Sequence, residues 1–151
     1  MPVLQLKVAP LQNPQHYARL ASALTKITER VLHKDASLTA VVIEDLPQAR
    51  WYVASQAVTH AAALLEITIT QGTNTAEEKA QWVAECFAEL AKQLGLGADQ
   101  AAAHYCTVRE VAATAHHRQV DAGTATLQLD RQDVDIALAR RQAALVHRLL
   151  V

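Results

Sequence analysis

This sequence of 151 residues is short of several residue types, and each shortage excludes a class of protein. Only two cysteines occur, Cys86 and Cys106, so there is no disulfide framework and we expect two reduced, buried thiols. Lysine and arginine total 14 against 15 acidic residues, a net charge of -1, which does not supply the basic face of a nucleic-acid binder. No apolar run approaches the ~18 residues that a membrane span needs. No secretory signal is visible at the first residues, so we expect a cytoplasmic protein.

Aromatic side chains are also scarce. They make up 4% of the residues, although hydrophobic residues make up 51% and charged residues 19%. A chain this apolar is not disordered. Its alanine-rich core must be thin, however, so we expect part of the apolar surface to be buried between subunits.

Two kinds of periodicity alternate along the chain. Apolar residues recur every second position in residues 3–8 and 63–70, which predicts half-buried strands. The short stretches 39–44 and 104–111 predict two more strands. Between them lie two apolar stripes at helical spacing, which predict helices over residues 14–33 and from the capping box of Thr75 and Glu78 to Gly95.

The order strand, helix, strand therefore occurs twice. Right-handed crossovers then give one four-stranded sheet with both helices on one face, an α+β fold. We expect a single domain, with unit one over about 2–60, unit two over about 61–123 and a C-terminal extension over about 124–151. The extension predicts a short strand at 124–129 and a last helix capped by Asp130. The sheet face without helices would be a large apolar patch, which predicts a homotrimer that covers it.

The local sequence around these elements resembles the tautomerase superfamily. Met1 and Pro2 are followed at once by the strand VLQLKV, and the doubled unit contains LTAVVIEDLPQARWYVAS, ITITQGTNTAEEKAQWVAECFAEL and HYCTVREV. These stretches, from residue 2 to about 113, are similar to the 4-oxalocrotonate tautomerase (4-OT) group and to its fused relatives. The relatives are the groups of macrophage migration inhibitory factor (MIF), malonate semialdehyde decarboxylase and chloroacrylate dehalogenase. The resemblance implies an enzyme without cofactor or metal that acts on small carboxylated carbonyl or enol compounds.

The chemistry of an N-terminal proline can be stated independently of the resemblance. Initiator methionine is normally removed before proline, which would leave Pro2 with a secondary amine. An ordinary α-amino group titrates near ~7.7–8.0, and burial beside apolar strand residues lowers its pKa. Such an amine can take a proton from a carbon next to a carbonyl and return it elsewhere. Its charged form could instead act as an acid in hydration or decarboxylation. A proline placed there only by chance is the alternative.

A carboxylated substrate calls for an arginine, whose forked guanidinium binds a carboxylate at two points. The candidates are Arg50, in the loop with aromatic residues, and Arg109, in the closing strand of the second unit. We expect Trp51 to form a pocket wall and Tyr105 to donate a hydrogen bond to substrate. For each of the four, an ordinary surface, interface or packing role is the alternative.

Several positions depart from the family pattern and leave the exact reaction open. Family members carry arginines at three places where this chain has none. After the first strand it has Leu-Gln-Asn (residues 11–13), in the second strand it has Val42, and after the third strand it has Gln-Gly-Thr-Asn (residues 71–74). The adjacent pair His116 and His117, like the isolated His60 and His104, has no metal-ligand spacing, so we expect no metal. Glu44 and Glu110 end matching strands, as solvated residues or as a shared carboxylate that polarises water.

Two function classes remain at this point. The first is a cofactor-free enzyme, and the second is a non-catalytic oligomeric binding or signalling protein of the same fold. An unrelated ferredoxin-like binding module shares the element order but would leave Pro2 exposed.

Overall fold

The computed structural model describes residues 1–95 and 104–115. Its first unit, Met1–Ala112, contains six strands and two long helices among the described residues. Their bounds are β1 (Val3–Ala9), α1 (Pro14–Leu32), β2 (Ala40–Asp45), β3 (Tyr52–Val53), β4 (Gln56–Ala57), β5 (Ala62–Thr70), α2 (Ala76–Leu94) and β6 (His104–Val111).

Four of these strands form one mixed sheet in the order β2-β1-β5-β6. Strand β1 pairs parallel with β2 and antiparallel with β5, and β5 pairs parallel with β6. The predicted α+β architecture is confirmed. The two strands that flank each helix, β1 with β2 and β5 with β6, pair in parallel, and the buried residues of both helices form one core with the sheet. A small hairpin of β3 and β4, which the sequence analysis did not predict, follows β2.

A second unit, Ala113–Val151, begins with a single 3-10 turn over Ala113–Ala115. The predicted strand at 124–129, the helix capped by Asp130, and His116 and His117 lie outside the described residues. The assignment of all 151 residues to one domain stays a prediction.

The helix termini follow from local chemistry. Asn13 Oδ1 accepts a hydrogen bond from His16 N at 2.9 Å, and Pro14 occupies the first turn of α1, where its missing N–H costs nothing. The capping box predicted for α2 is present, with Glu78 N bonded to Thr75 Oγ1 and Thr75 N to Glu78 Oε2. Gly95 ends α2 with a φ of 69°, a left-handed conformation that suits glycine.

The core lies between the helices and one face of the sheet. Its sheet side is lined by alternate apolar residues of β1 and β5, and its helix side by the apolar stripes of α1 and α2. Trp82 of α2 is fully buried, and its Nε1–H donates to Thr28 Oγ1 of α1 at 3.0 Å. The polar atoms of two helices are thus paired inside the apolar layer.

Neither cysteine forms a disulfide. Cys86 is buried in α2, as expected, whereas Cys106 of β6 is half-buried. Burial raises the pKa of both thiols, that of Cys106 to about 11, so both stay protonated near neutral pH.

The sheet face opposite α1 and α2, called the uncovered face below because no helix of the described residues packs on it, is mixed rather than wholly apolar. Val42 and Tyr105 are 56% and 50% exposed on it. Two charge pairs join neighbouring strands on the same face, Lys7 Nζ to Glu44 Oε2 at 3.7 Å and Arg109 Nη1 to Glu66 Oε1 at 3.6 Å. The expectation of a large apolar patch therefore needs correction, because alternation along β5 and β6 places threonine, glutamate and arginine side chains there.

Among the described residues, neither long helix is apolar enough over sufficient length to cross a bilayer.

Candidate active site

Pro2 lies at the start of an interior strand. It directly precedes Val3. Because side chains alternate along a strand, Pro2 faces the same side of the sheet as Leu4 and Leu6, whose side chains point into the core. Pro2 is buried, and its carbonyl oxygen accepts a hydrogen bond from Ala40 N of β2 at 3.1 Å. Met1 before it is 41% exposed. The buried position differs from the exposed one expected of a ferredoxin-like module.

The register places Arg109 at the same end of the sheet. Val3 pairs with Thr68 of β5, and Thr68 pairs with Arg109 of β6. Two strand spacings separate the Cα atoms of Val3 and Arg109, about 10 Å. Arg109 projects from the uncovered face, where its side chain is 66% exposed and pairs with Glu66. Of the two arginine candidates, Arg109 is the one that shares an end of the sheet with Pro2.

Arg50 and Trp51 lie at the opposite end. Strand β2 runs parallel to β1, so its last residue, Asp45, pairs with Val8 and the loop after it leaves from the far edge. Val3 and Val8 are separated by about 17 Å at the usual rise of a strand. Arg50 ends the 3-10 turn Gln48–Arg50 and is exposed, and Trp51 is half-buried. Within one chain, the structure therefore does not bring these two residues to Pro2.

Tyr105 is also remote from the Pro2 end. It pairs with Leu64, which pairs with Lys7, so it lies four residues along β6 from Arg109 on the same uncovered face. Its side chain is half exposed. Any contact of Tyr105 with a ligand held by Pro2 of the same chain would have to span the length of the sheet.

The two glutamates that end matching strands do not share a site within one chain. Glu44 lies on the uncovered face at the far end, beside Lys7. Glu110 lies on the helix side at the Pro2 end, where Lys79 Nζ contacts its Oε2 at 3.0 Å and Gly72 N donates to its Oε1 at 3.3 Å. The hydrogen bond from Lys79, followed by the one from Gly72, lowers the pKa of Glu110. Glu110 is thus an ionised carboxylate that anchors the loop before α2.

A polar cluster at the far end fixes α1 to the sheet. The Tyr17 hydroxyl donates to Asp45 Oδ2, and Gln12 N donates to the same oxygen at 3.3 Å. The bond to Asp45 raises the pKa of Tyr17 and, reciprocally, lowers that of Asp45. These contacts hold the start of α1 over the end of β2, which is a structural role.

Among the histidines of residues 1–95 and 104–115, His104 is the buried one. It is 6% exposed, its ring packs edge-to-face on Phe87 at 6.2 Å, and neither ring nitrogen has a partner among the described residues. Burial lowers its pKa, so it is neutral at pH 7. Within residues 1–95 and 104–115, no three histidine, cysteine or acidic side chains cluster as a metal ion would require.

The sequence analysis missed Glu66 as a partner of Arg109. The alternation of apolar and polar residues does predict that Glu66 and Arg109 each lie on the polar side of their own strand. Their contact depends on the pairing of β5 with β6, and this register could not be read from the separate strands.

Comparisons with known proteins bear on the fold. No family model and no curated protein matches the sequence. Solved structures do match. The fused 4-OT protein Q0, a symmetric trimer, is 18% identical with a TM-score of 0.66, over 83% of this chain and 95% of its own. Pt0534, inactivated by 2-oxo-3-pentynoate, is 11% identical with a TM-score of 0.70, over 83% and 96%. MIF2 of Leishmania major is 18% identical with a TM-score of 0.63, over 80% and 94%.

This chain has the tautomerase-superfamily fold. The match extends over nearly the whole of each of these solved structures. It confirms the resemblance seen in the sequence at the level of the fold. At these identities the tautomerase fold alone is shared, and the roles of individual residues have to be argued from this chain.

Proposed function

We propose that this chain is a cofactor-independent tautomerase in which the amine of Pro2 transfers a proton on a small keto or enol carboxylic acid. The observation that carries the proposal is the buried position of Pro2 at the start of an interior strand of a tautomerase fold. An amine buried among apolar strand residues is disfavoured in its charged form, which suits a general base near neutral pH.

The reaction needs one base and one anchor. Once Met1 is removed, the Pro2 nitrogen takes a proton from the carbon next to the substrate carbonyl and delivers a proton to the carbonyl oxygen, which gives the enol. Ketonisation is the reverse of these two transfers. Arg109 starts at the same end of the sheet but on the face opposite to the Pro2 ring, and its side chain reaches past that end of the sheet to bind the substrate carboxylate. Hydration, dehalogenation and decarboxylation use the charged form of the same amine and are the related reactions to assay beside tautomerisation.

The proposed assembly is a homotrimer. The fused 4-OT proteins Q0, F6 and R7 are trimers and share the fold, and both long helices of the described residues pack on the same face of this sheet. A closed ring also accounts for the separated site residues. Arg50 and Trp51 lie at the end of the sheet opposite to Pro2, so a head-to-tail neighbour would supply them to the Pro2 end.

A non-catalytic binding protein is the second candidate. MIF2 of Leishmania major and the MIF-like protein of Entamoeba histolytica match the chain about as well as the 4-OT proteins do. In this alternative, Met1 stays in place or the site binds ligand without turnover.

The experiment compares Met1-free protein with a variant that carries one extra alanine before Pro2. The extra residue converts the Pro2 amine into an amide without a basic nitrogen. We expect the ketonisation of enol-phenylpyruvate to slow by about 10²–10⁴-fold, the usual contribution of a general base. Sedimentation checks that both proteins assemble alike. Equal rates would refute the enzyme proposal and favour the binding protein.

A further inference from the structure

The guanidinium of Arg109 already has a carboxylate beside it. Glu66 Oε1 lies 3.6 Å from Arg109 Nη1, and the two side chains are 33% and 66% exposed. This distance is that of a charge pair, longer than a good hydrogen bond. The preferred two-point contact between a guanidinium and a carboxylate therefore remains open to another carboxylate.

The register shows the direction in which Glu66 draws Arg109. Arg109 pairs with Thr68, in the row that begins at Val3 beside Pro2. Glu66 pairs with Gln5, so it lies two residues farther from Pro2 along the sheet, on the same face as Arg109. The pair thus attracts the guanidinium away from the Pro2 end, towards the middle of the uncovered face.

We propose that Glu66 is a positioning residue, an internal carboxylate that occupies Arg109 until the carboxylate of a substrate displaces it. The inference rests on the proposed function, because it takes Arg109 as the anchor. Exposed ion pairs are weak, so a substrate that binds the guanidinium at two points can replace Glu66. Glu66 then raises the concentration of substrate needed for saturation and does not take part in the proton transfer.

The test is Glu66→Gln in the Met1-free protein, with phenylpyruvate as substrate. We expect KM to fall about two- to fivefold and kcat to stay unchanged, as the loss of one weak competing pair predicts. The matched control is Glu44→Gln, which breaks the pair with Lys7 at 3.7 Å on the same sheet face. Both substitutions remove one negative charge, so a change in net charge alone would lower KM in both variants.

A second variant separates positioning from a structural role. In protein that carries Arg109→Gln, the further change Glu66→Gln has no anchor to release and leaves KM unaltered. A merely structural Glu66 would instead alter assembly, seen by sedimentation, or would alter kcat. The proposal is overturned if Glu66→Gln leaves KM unchanged, if Glu44→Gln lowers it equally, or if the effect persists without Arg109.

A binding measurement that does not depend on turnover distinguishes a failure of this inference from a failure of the proposed function. In protein capped by an extra alanine, calorimetric titration with phenylpyruvate measures Kd alone. If the uncapped protein proves inactive, the proposed function fails, yet tighter binding by the capped Glu66→Gln variant would still support the role of Glu66. An unchanged Kd in that variant would overturn it.

Discussion

The buried hydrogen bond between Trp82 and Thr28 is the point where the two helices can be probed most sharply. Both side chains are 0% exposed, and the indole Nε1–H donates to Thr28 Oγ1 at 3.0 Å. Thr28→Val keeps the shape of the side chain but removes the acceptor. The indole N–H is then buried without a partner, which costs about 1–3 kcal/mol of unfolding free energy.

Urea unfolding at a fixed protein concentration measures this loss. With a slope of about 2 kcal/mol/M for a chain of this size, the midpoint should fall by roughly 0.5–1.5 M. The control is Thr25→Val, on the same helix but half-buried, which should shift the midpoint far less. Adding Trp82→Phe to Thr28→Val should cost less than Trp82→Phe in the wild type, because the orphaned donor is gone. A Thr28→Val midpoint equal to that of the wild type would refute the reasoning.

Three further predictions concern the buried histidine and the site. Burial lowers the pKa of His104, so below the ordinary pKa of ~6.5 the unfolded chain binds more protons, and stability falls on acidification by at most about 1.4 kcal/mol per pH unit. His104→Leu should reduce this loss of unfolding free energy, measured by urea unfolding at several pH values, whereas His60→Leu at an exposed position should not change it. The same pH dependence in the wild type and both variants would contradict the prediction. Arg109→Gln should raise KM for phenylpyruvate about 10- to 100-fold through loss of a charge-assisted bond, and an unchanged KM would exclude Arg109 as the anchor. If a neighbour supplies Arg50 as a second contact to the substrate, Arg50→Ala should raise KM about 10-fold, and co-expression with the slow Pro2-capped protein should restore the original KM at up to about a quarter of the sites in mixed trimers; no such recovery would contradict donation of Arg50 by a neighbour.

The sequence predicts the main elements well because their signals are local. Period-two alternation in β1 and β5 and the stripes of α1 and α2 each lie within one element, and a cap residue marks the start of both helices. The β3–β4 hairpin was missed for an equally local reason. Its turn has Ala54 and Ser55 at φ of 48° and 65°, where glycine or asparagine would have given a recognisable signal.

The site was harder to predict than the fold. The separation of Arg50 from Pro2 follows from the parallel pairing of β1 and β2, so the predicted topology already contained it. The contact between Glu66 and Arg109 was beyond prediction, because it depends on a register between strands joined by a whole helix. The polar content of the uncovered face has the same origin, since composition does not say to which face a charged side chain points.

The central claim is that the free amine of Pro2 performs the proton transfer, and graded removal of Met1 tests it most directly. Preparations with different extents of processing are quantified by intact mass, where each processed chain is lighter by one methionine. Their rates of enol-phenylpyruvate ketonisation are then plotted against the processed fraction. Each proposed site has one Pro2, so we predict a straight line through the origin. A rate independent of the processed fraction would contradict the account.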